Sequence, residues 1–133
     1  MIEGQDDYFD KAEESFAGAE SEYVNSRYNN CANRCYYAAF QAAIAALVRS
    51  GIRSPGSGDQ WGHDFVQARF IGELINRRKL YPAGVRATLE QNYRLRETAD
   101  YRRDHVTEVR AARAIRRTEE FLGAIRRRGG AHP

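Results

Sequence analysis

Apolar residues recur at spacings of three and four along almost the whole chain. Phe9, Ala12, Phe16, Ala19 and Tyr23 form one such stripe, which predicts a first helix from about Asp6 to Val24. Acids near its start suit the positive end of a helix dipole. A second helix is predicted from about Arg27 to Ser50, with Ser26 as N-cap and Gly51 as the stop. Its stripe is built of small residues: Cys31, Cys35, Ala38, Ala39, Ala42 and Ala46, closed by Leu47. Such side chains let a neighbouring helix approach closely. Ile44 and Val48 widen the apolar surface.

Pro55, Gly56 and Gly58 make Ile52 to Gly62 a loop, whose tip is expected to be mobile. A third helix is predicted from His63 or Asp64 to Arg78, with Val66, Phe70 and Leu74 inward. Lys79 to Tyr81 reads as a turn. Pro82 suits the first turn of a fourth helix running to about Tyr101. Thr107 is placed to cap a fifth, ending near Arg128, with Ala111, Ala114, Thr118, Phe121 and Ile125 as its stripe. Nothing alternates with period two. The pattern therefore predicts an all-α antiparallel bundle of four to five helices. One domain would span residues 1–128, followed by a disordered tail at 129–133.

Polar residues break this pattern in three places. On the fourth helix the stripe reads Val85, Leu89, Asn92, Arg96, Ala99, which sets Arg96 where the core should be. A buried Arg is costly unless paired, and Asp100, four residues on, offers a local partner. On the third helix His63 falls on the inward side with Val66 and Phe70; a hydrogen-bonded or solvated helix-start histidine is the plainer reading. On the second helix Arg27, Asn30, Arg34, Tyr37 and Gln41 form a polar ridge beside the alanine face. A solvated face would account for it. Tyr36 and Tyr37 change that picture, because aromatics interleaved with Arg also suit base stacking and phosphate contacts.

Charge sharpens the case for an anionic partner. Residues 1–25 hold eight acids and one base, Lys11, so that segment is at −7 and the remainder at +10 within a net charge of +3. Almost all of the excess is Arg. Nucleic acid or a nucleotide would answer it. An acidic first helix lying against basic later ones would answer it equally.

Other chemistries find little support. No run reaches the roughly 18 apolar residues of a membrane span. No basic-then-apolar signal pattern opens the chain, so a cytoplasmic, reducing setting is expected, with Cys31 and Cys35 as thiols. His63, His105 and His132 lack zinc-finger spacing to those cysteines, which read as small core residues. No metal or cofactor is expected. The glycine-containing loop Gly51 to Gly62 follows no strand, so it is not a phosphate-binding P-loop.

Asn33-Arg34-Cys35-Tyr36-Tyr37-Ala38-Ala39-Phe40-Gln41-Ala42 resembles the R-x-Y-Y-A-x-F-x-A signature of the HEPN superfamily. The likeness is strongest to its small stand-alone prokaryotic branch. His63 stands where that branch has a histidine opening the third helix. Leu95 to Tyr101, LRETADY, is similar to its R-x-x-A-D-Y motif, and the helix carrying Glu119, Glu120 and Phe121 to its closing helix.

The resemblance implies a helical bundle that forms a homodimer, contacts RNA or a nucleotide, and pairs with a nucleotidyltransferase partner protein in a toxin–antitoxin-like system. Ribonuclease members of the superfamily carry an Arg and then a His after four to six intervening residues. Here eight residues separate Arg96 from His105, so that pair is not found as written. The expected function is thus a binding module, with Arg27, Asn30, Arg34, Tyr37, His63, Arg96 and Asp100 as the ligand-facing set. The alternatives are a metal-independent ribonuclease drawing on His63, Arg96 or His105, and a ligand-free helical dimer.

Overall fold

The computed structural model describes residues 5–56, 60–101 and 103–130, without the side chains of residues 5, 6 and 130. Five α-helices follow one another: α1 (Gln5–Val24), α2 (Tyr28–Arg49), α3 (His63–Arg69), α4 (Thr88–Tyr101) and α5 (Glu108–Gly130). Among the described residues there is no strand, as the periodicity requires. No helix among them is long and apolar enough to cross a membrane.

The side-chain bonds fix the directions. Ser15 of α1 meets Gln41 of α2, while Glu22 meets Asn30, so these two helices run antiparallel. Asn33 reaches Asp100 and Asn29 reaches Val106, so the chain that leaves α4 returns to the start of α2. Helix α2 is the central element. Ala38, Ala39, Ala42, Ala43 and Ala46 are fully buried and let the surrounding helices pack close. They join Val66, Phe70, Leu74, Leu89, Phe121 and Ile125 in one cluster. A second cluster gathers Ala19, Cys31, Ala32, Cys35, Leu95, Val106, Ala111 and Ala114 at the other end.

Cys31 and Cys35 are free thiols, one turn apart and fully buried. Their mutual hydrogen bond holds the Cys31 thiol below its ordinary pKa. The same bond, together with burial, pushes that of Cys35 up.

Asn92, only 1% exposed, stitches three helices together. Its amide nitrogen donates to the Cys35 carbonyl at 3.1 Å and to Thr118 Oγ1 at 2.9 Å. Its oxygen accepts from Arg117 Nε at 2.7 Å. Both the nitrogen and the oxygen of a polar residue on the core stripe are thereby bonded.

Several boundaries differ from the sequence pattern. Ser26 does not cap α2; it sits at φ 62° and ends α1. The amides of Ser26 and Arg27 donate to the carbonyls of Tyr23 and Glu22, the paired bonds of a Schellman closure. Arg27 is then the N-cap, without a side-chain bond. Gly51, at φ 85°, ends α2 in the same way, with Gly51 and Ile52 donating to Val48 and Leu47. The third helix changes pitch: Phe70–Arg77 is a π-helical turn, and Arg78 donates back to the Glu73 carbonyl. Pro82 is extended, at ψ 151°, and leads into a 3-10 turn (Ala83–Val85). The fourth helix therefore starts six residues late, at Thr88.

Thr107 does cap α5, accepting from the Arg110 amide. That helix continues through Gly129 and Gly130, where a tail was expected. Residues 131–133, and residues 57–59 at the tip of the loop expected to be mobile, lie outside the described residues. Among the described residues, ion pairs neutralise the acidic first helix only in part. Glu13 pairs with Arg126 at 2.8 Å, and Glu22 lies 4.0 Å from Arg27.

Candidate functional site

Where α2 and α4 face each other, their polar positions meet. Arg96 is not in the core. Leu95, 4% exposed, takes the buried position instead, and Arg96, with 22% of its side chain exposed, lies mostly covered beside it. The cause is the helical phase: Leu89, Asn92 and Leu95 carry the buried stripe, and Arg96 falls one position, roughly 100°, beyond it.

The Arg96 guanidinium spans two rings, its carbon 4.8 Å from the centre of Tyr36 and 5.4 Å from that of Tyr37. Both are within cation–π range. The local pair with Asp100 forms as well, Nε to Oδ2 at 3.3 Å, and Asn33 donates to the same carboxylate at 2.9 Å. Arg96 is thus a neutralised, sandwiched cation. Tyr36 is buried and Tyr37 is 38% exposed, one ring edge-on to the other at 5.1 Å. Burial raises the Tyr36 phenol above its ordinary pKa, with the Arg96 charge opposing.

His63 joins the same cluster. Its ring stacks on Tyr93, 4.0 Å between centres and 19° between planes, and its Nδ1 lies 3.4 Å from Tyr36 Oη. It is a helix-start histidine with a hydrogen-bond contact, placed at a polar seam. His63 and Tyr93 line an open cleft of about 500 Å³, whose far wall includes Ile71 and Gly72 of the π-helical turn. Turns of this kind are frequent at functional sites.

The ridge predicted on α2 divides. Tyr37 turns to Arg96. Arg27 and Asn30 turn to Glu22 of α1. Gln41 turns to Ser15. Arg34 is exposed and lies over α1, so close that a Cβ at Gly18 would sit 3.2 Å from its Nη1. Among the described residues Arg34 has no carboxylate within ion-pair distance. His105 stands apart: its Nδ1 is 3.2 Å from Asn29 Nδ2, beside Arg27, in a cleft at the α1–α2 turn. The structure thus brings Tyr37, His63, Arg96 and Asp100 into one cluster, and leaves Arg27, Asn30 and His105 in another.

Asn33 and Tyr93 also belong to the first cluster, beyond the residues that the sequence points to, and Tyr36, which the sequence offers as a stacking aromatic, is its buried centre. Tyr93 was legible in principle, three positions before Arg96 on the same helical face. Among the described residues no three His, Cys, Asp or Glu side chains gather as metal donors would.

A central small-residue helix, a closing helix and a Tyr-Tyr/Arg/His seam define a HEPN-type bundle. The HEPN domain profile matches residues 5–128, and the chain belongs to that family. It is also similar to a protein of Methanocaldococcus jannaschii named "Putative toxin MJ0605", with 29% identity over 119 residues, covering 87% of this chain and 81% of that protein.

Proposed function

We propose that this protein is a toxin-like HEPN module that binds RNA or a nucleotide along the α2–α4 seam. The name of its archaeal relative supports the toxin-like part. The observation that carries the binding part is the clamping of Tyr37. Arg96 lies on it and Tyr36 meets it edge-on, yet over a third of the side chain stays exposed. A ring held in one orientation with free surface is a stacking platform for a base, a contact that contributes about 1–3 kcal/mol.

Asp100 neutralises Arg96, so in this reading Arg96 sets ring planes rather than holding phosphate. The phosphate contact falls to Arg34, one turn from Tyr37 and without a carboxylate partner. The homodimer and the nucleotidyltransferase partner remain part of the proposal on the strength of the motifs alone.

The test is binding of a fluorescein-labelled single-stranded RNA, followed by anisotropy in 50 and 200 mM salt. Affinity should fall steeply with salt. Tyr37→Ala and Arg34→Ala should each weaken it about tenfold, at the scale of one stacking or phosphate contact. Wild-type affinity in both variants would end this reading.

One observation favours a second reading. His63 and Arg96 both contact Tyr36, so a candidate acid/base and a candidate charge stabiliser meet at one ring. Metal-independent RNA cleavage would then proceed in EDTA, leave a 2′,3′-cyclic phosphate and disappear in His63→Ala. Cleavage that persists in that variant excludes it.

A further inference from the structure

The other side of α4 carries a cluster that none of the motifs accounts for. Arg94 and Arg96 are two residues apart, hence on roughly opposite faces of the helix. On the Arg94 side, facing α5, a cleft of about 230 Å³ is lined by Gln91, Arg94, Leu95, Arg110, Arg113 and Arg117. Four guanidinium-bearing residues and no carboxylate line it. Arg94 is answered by Glu90, Nε to Oε2 at 2.7 Å. Among the described residues Arg110, Arg113 and Arg117 have no carboxylate within ion-pair distance.

The cluster is also built, not merely solvated. Arg110 and Arg113 are exposed, one turn apart on α5. Arg117, the next turn on, is partly buried and anchored through Nε to Asn92 at 2.7 Å. That bond uses the inner edge of the guanidinium and leaves its two terminal nitrogens for another partner. Burial lowers the Arg117 pKa, and the nearby Arg110 charge lowers it further while Cys35 opposes. A like-charge group held against a low-dielectric wall raises the local potential and favours an incoming anion. Arg forks suit phosphate oxygens best among common anions. Leu95 is the one apolar lining residue, and no aromatic ring is present on which a base could stack.

We propose that this cleft is a phosphate site for a compact oligophosphate, recognised through its phosphates and not through a base. It is separate from the Tyr37 seam and does not depend on it.

The probe is inorganic triphosphate, titrated calorimetrically into the full chain. Saturable one-to-one binding is expected, weaker at higher ionic strength. The double variant Arg110→Gln/Arg113→Gln should bind at least tenfold more weakly, and both side chains are exposed, so the fold is spared. Arg113→Glu, which reverses one charge, should abolish binding and serves as the second variant. Tyr37→Ala and Arg34→Ala should bind triphosphate as wild type, which separates this site from the RNA reading. Unchanged affinity in the double variant, or no saturable binding by the wild type, overturns the proposal. So does binding through these arginines of a 5′-hydroxyl oligonucleotide but not of triphosphate.

Discussion

Arg117 Nε lies 2.7 Å from Asn92 Oδ1, and that contact ties α5 to α4 at the point where α2 crosses both. Asn92 links three helices through three hydrogen bonds, two donated and one accepted. Replacing it with Ala would leave Thr118 and the buried edge of Arg117 without their partner and open a small cavity. Asn92→Ala should therefore destabilise the fold by about 2–4 kcal/mol. Urea denaturation measures this. A loss under about 1 kcal/mol would show that the bonds are replaced by water.

Ser26 carries a positive φ of 62° at the end of α1, a conformation that favours glycine. Its amide already makes the helix-closing bond, so Ser26→Gly relieves the backbone and gives up only the long, exposed contact of the hydroxyl with Tyr28. A gain of roughly 0.5–1 kcal/mol is expected. The thermal midpoint should rise; a fall would mean that the Ser26 hydroxyl, 3.4 Å from Tyr28 Oη, matters more than the backbone.

Gly129 lies at a close approach of the Arg49 side chain. Arg49 donates to the Ile125 carbonyl at 3.0 Å and to Tyr81 Oη at 3.2 Å, capping the last turn of α5. A Cβ at position 129 would overlap that guanidinium. Gly129→Ala, although it favours helix, should cost about 1–2 kcal/mol by displacing the cap. Gly129→Ala in an Arg49→Ala background should instead be neutral or stabilising, a sign change read directly from a double-mutant cycle.

Stability should decline at alkaline pH. Burial raises the phenol pKa of Tyr81 and of Tyr36 above the ordinary 10.0, with Arg49 opposing in the first case and Arg96 in the second. A raised folded pKa means that the unfolded chain loses its phenol protons first. Stability is thus fully present below about pH 10 and falls as pH rises from there through the folded values. Tyr81→Phe should flatten part of that decline in urea midpoints taken between pH 8 and 11. An equally steep profile would place the titrating groups elsewhere.

Arg96→Lys probes the geometry of the seam. The charge and the Asp100 partner survive, but the planar contact over Tyr36 and Tyr37 does not. A loss of about 0.5–1 kcal/mol is expected. RNA binding should weaken in step, because Tyr37 would no longer be held in one orientation. Binding at wild-type strength would disconnect Arg96 from the platform.

The chain's own pattern was sufficient for the helices and the core. A three-and-four spacing admits one kind of element, and the stripe Ala111, Ala114, Thr118, Phe121, Ile125 is buried throughout. Local backbone chemistry also reads directly where one residue type is compelled, as at Gly51 and the Thr107 cap. The HEPN motif was legible for the same reason, since its tyrosines, alanines and arginine lie on one continuous helix. The seam was half legible: spacing placed Arg96 beside Asp100, and the tertiary fold brought Tyr36, Tyr93 and Asn33 around them.

Tertiary structure decided the rest. The polar ridge of α2 split because a helix has neighbours on both flanks: α1 drew Arg27, Asn30 and Gln41, and α4 drew Tyr37. Arg96 left the core because one residue of helical phase, unresolved by a stripe with two polar members, was settled by Leu95 fitting where a cation would be stranded. The arginine cleft depends on two helices that share no motif. Periodicity records what each helix must bury; only packing records which side chains, distant in sequence, must then share a surface.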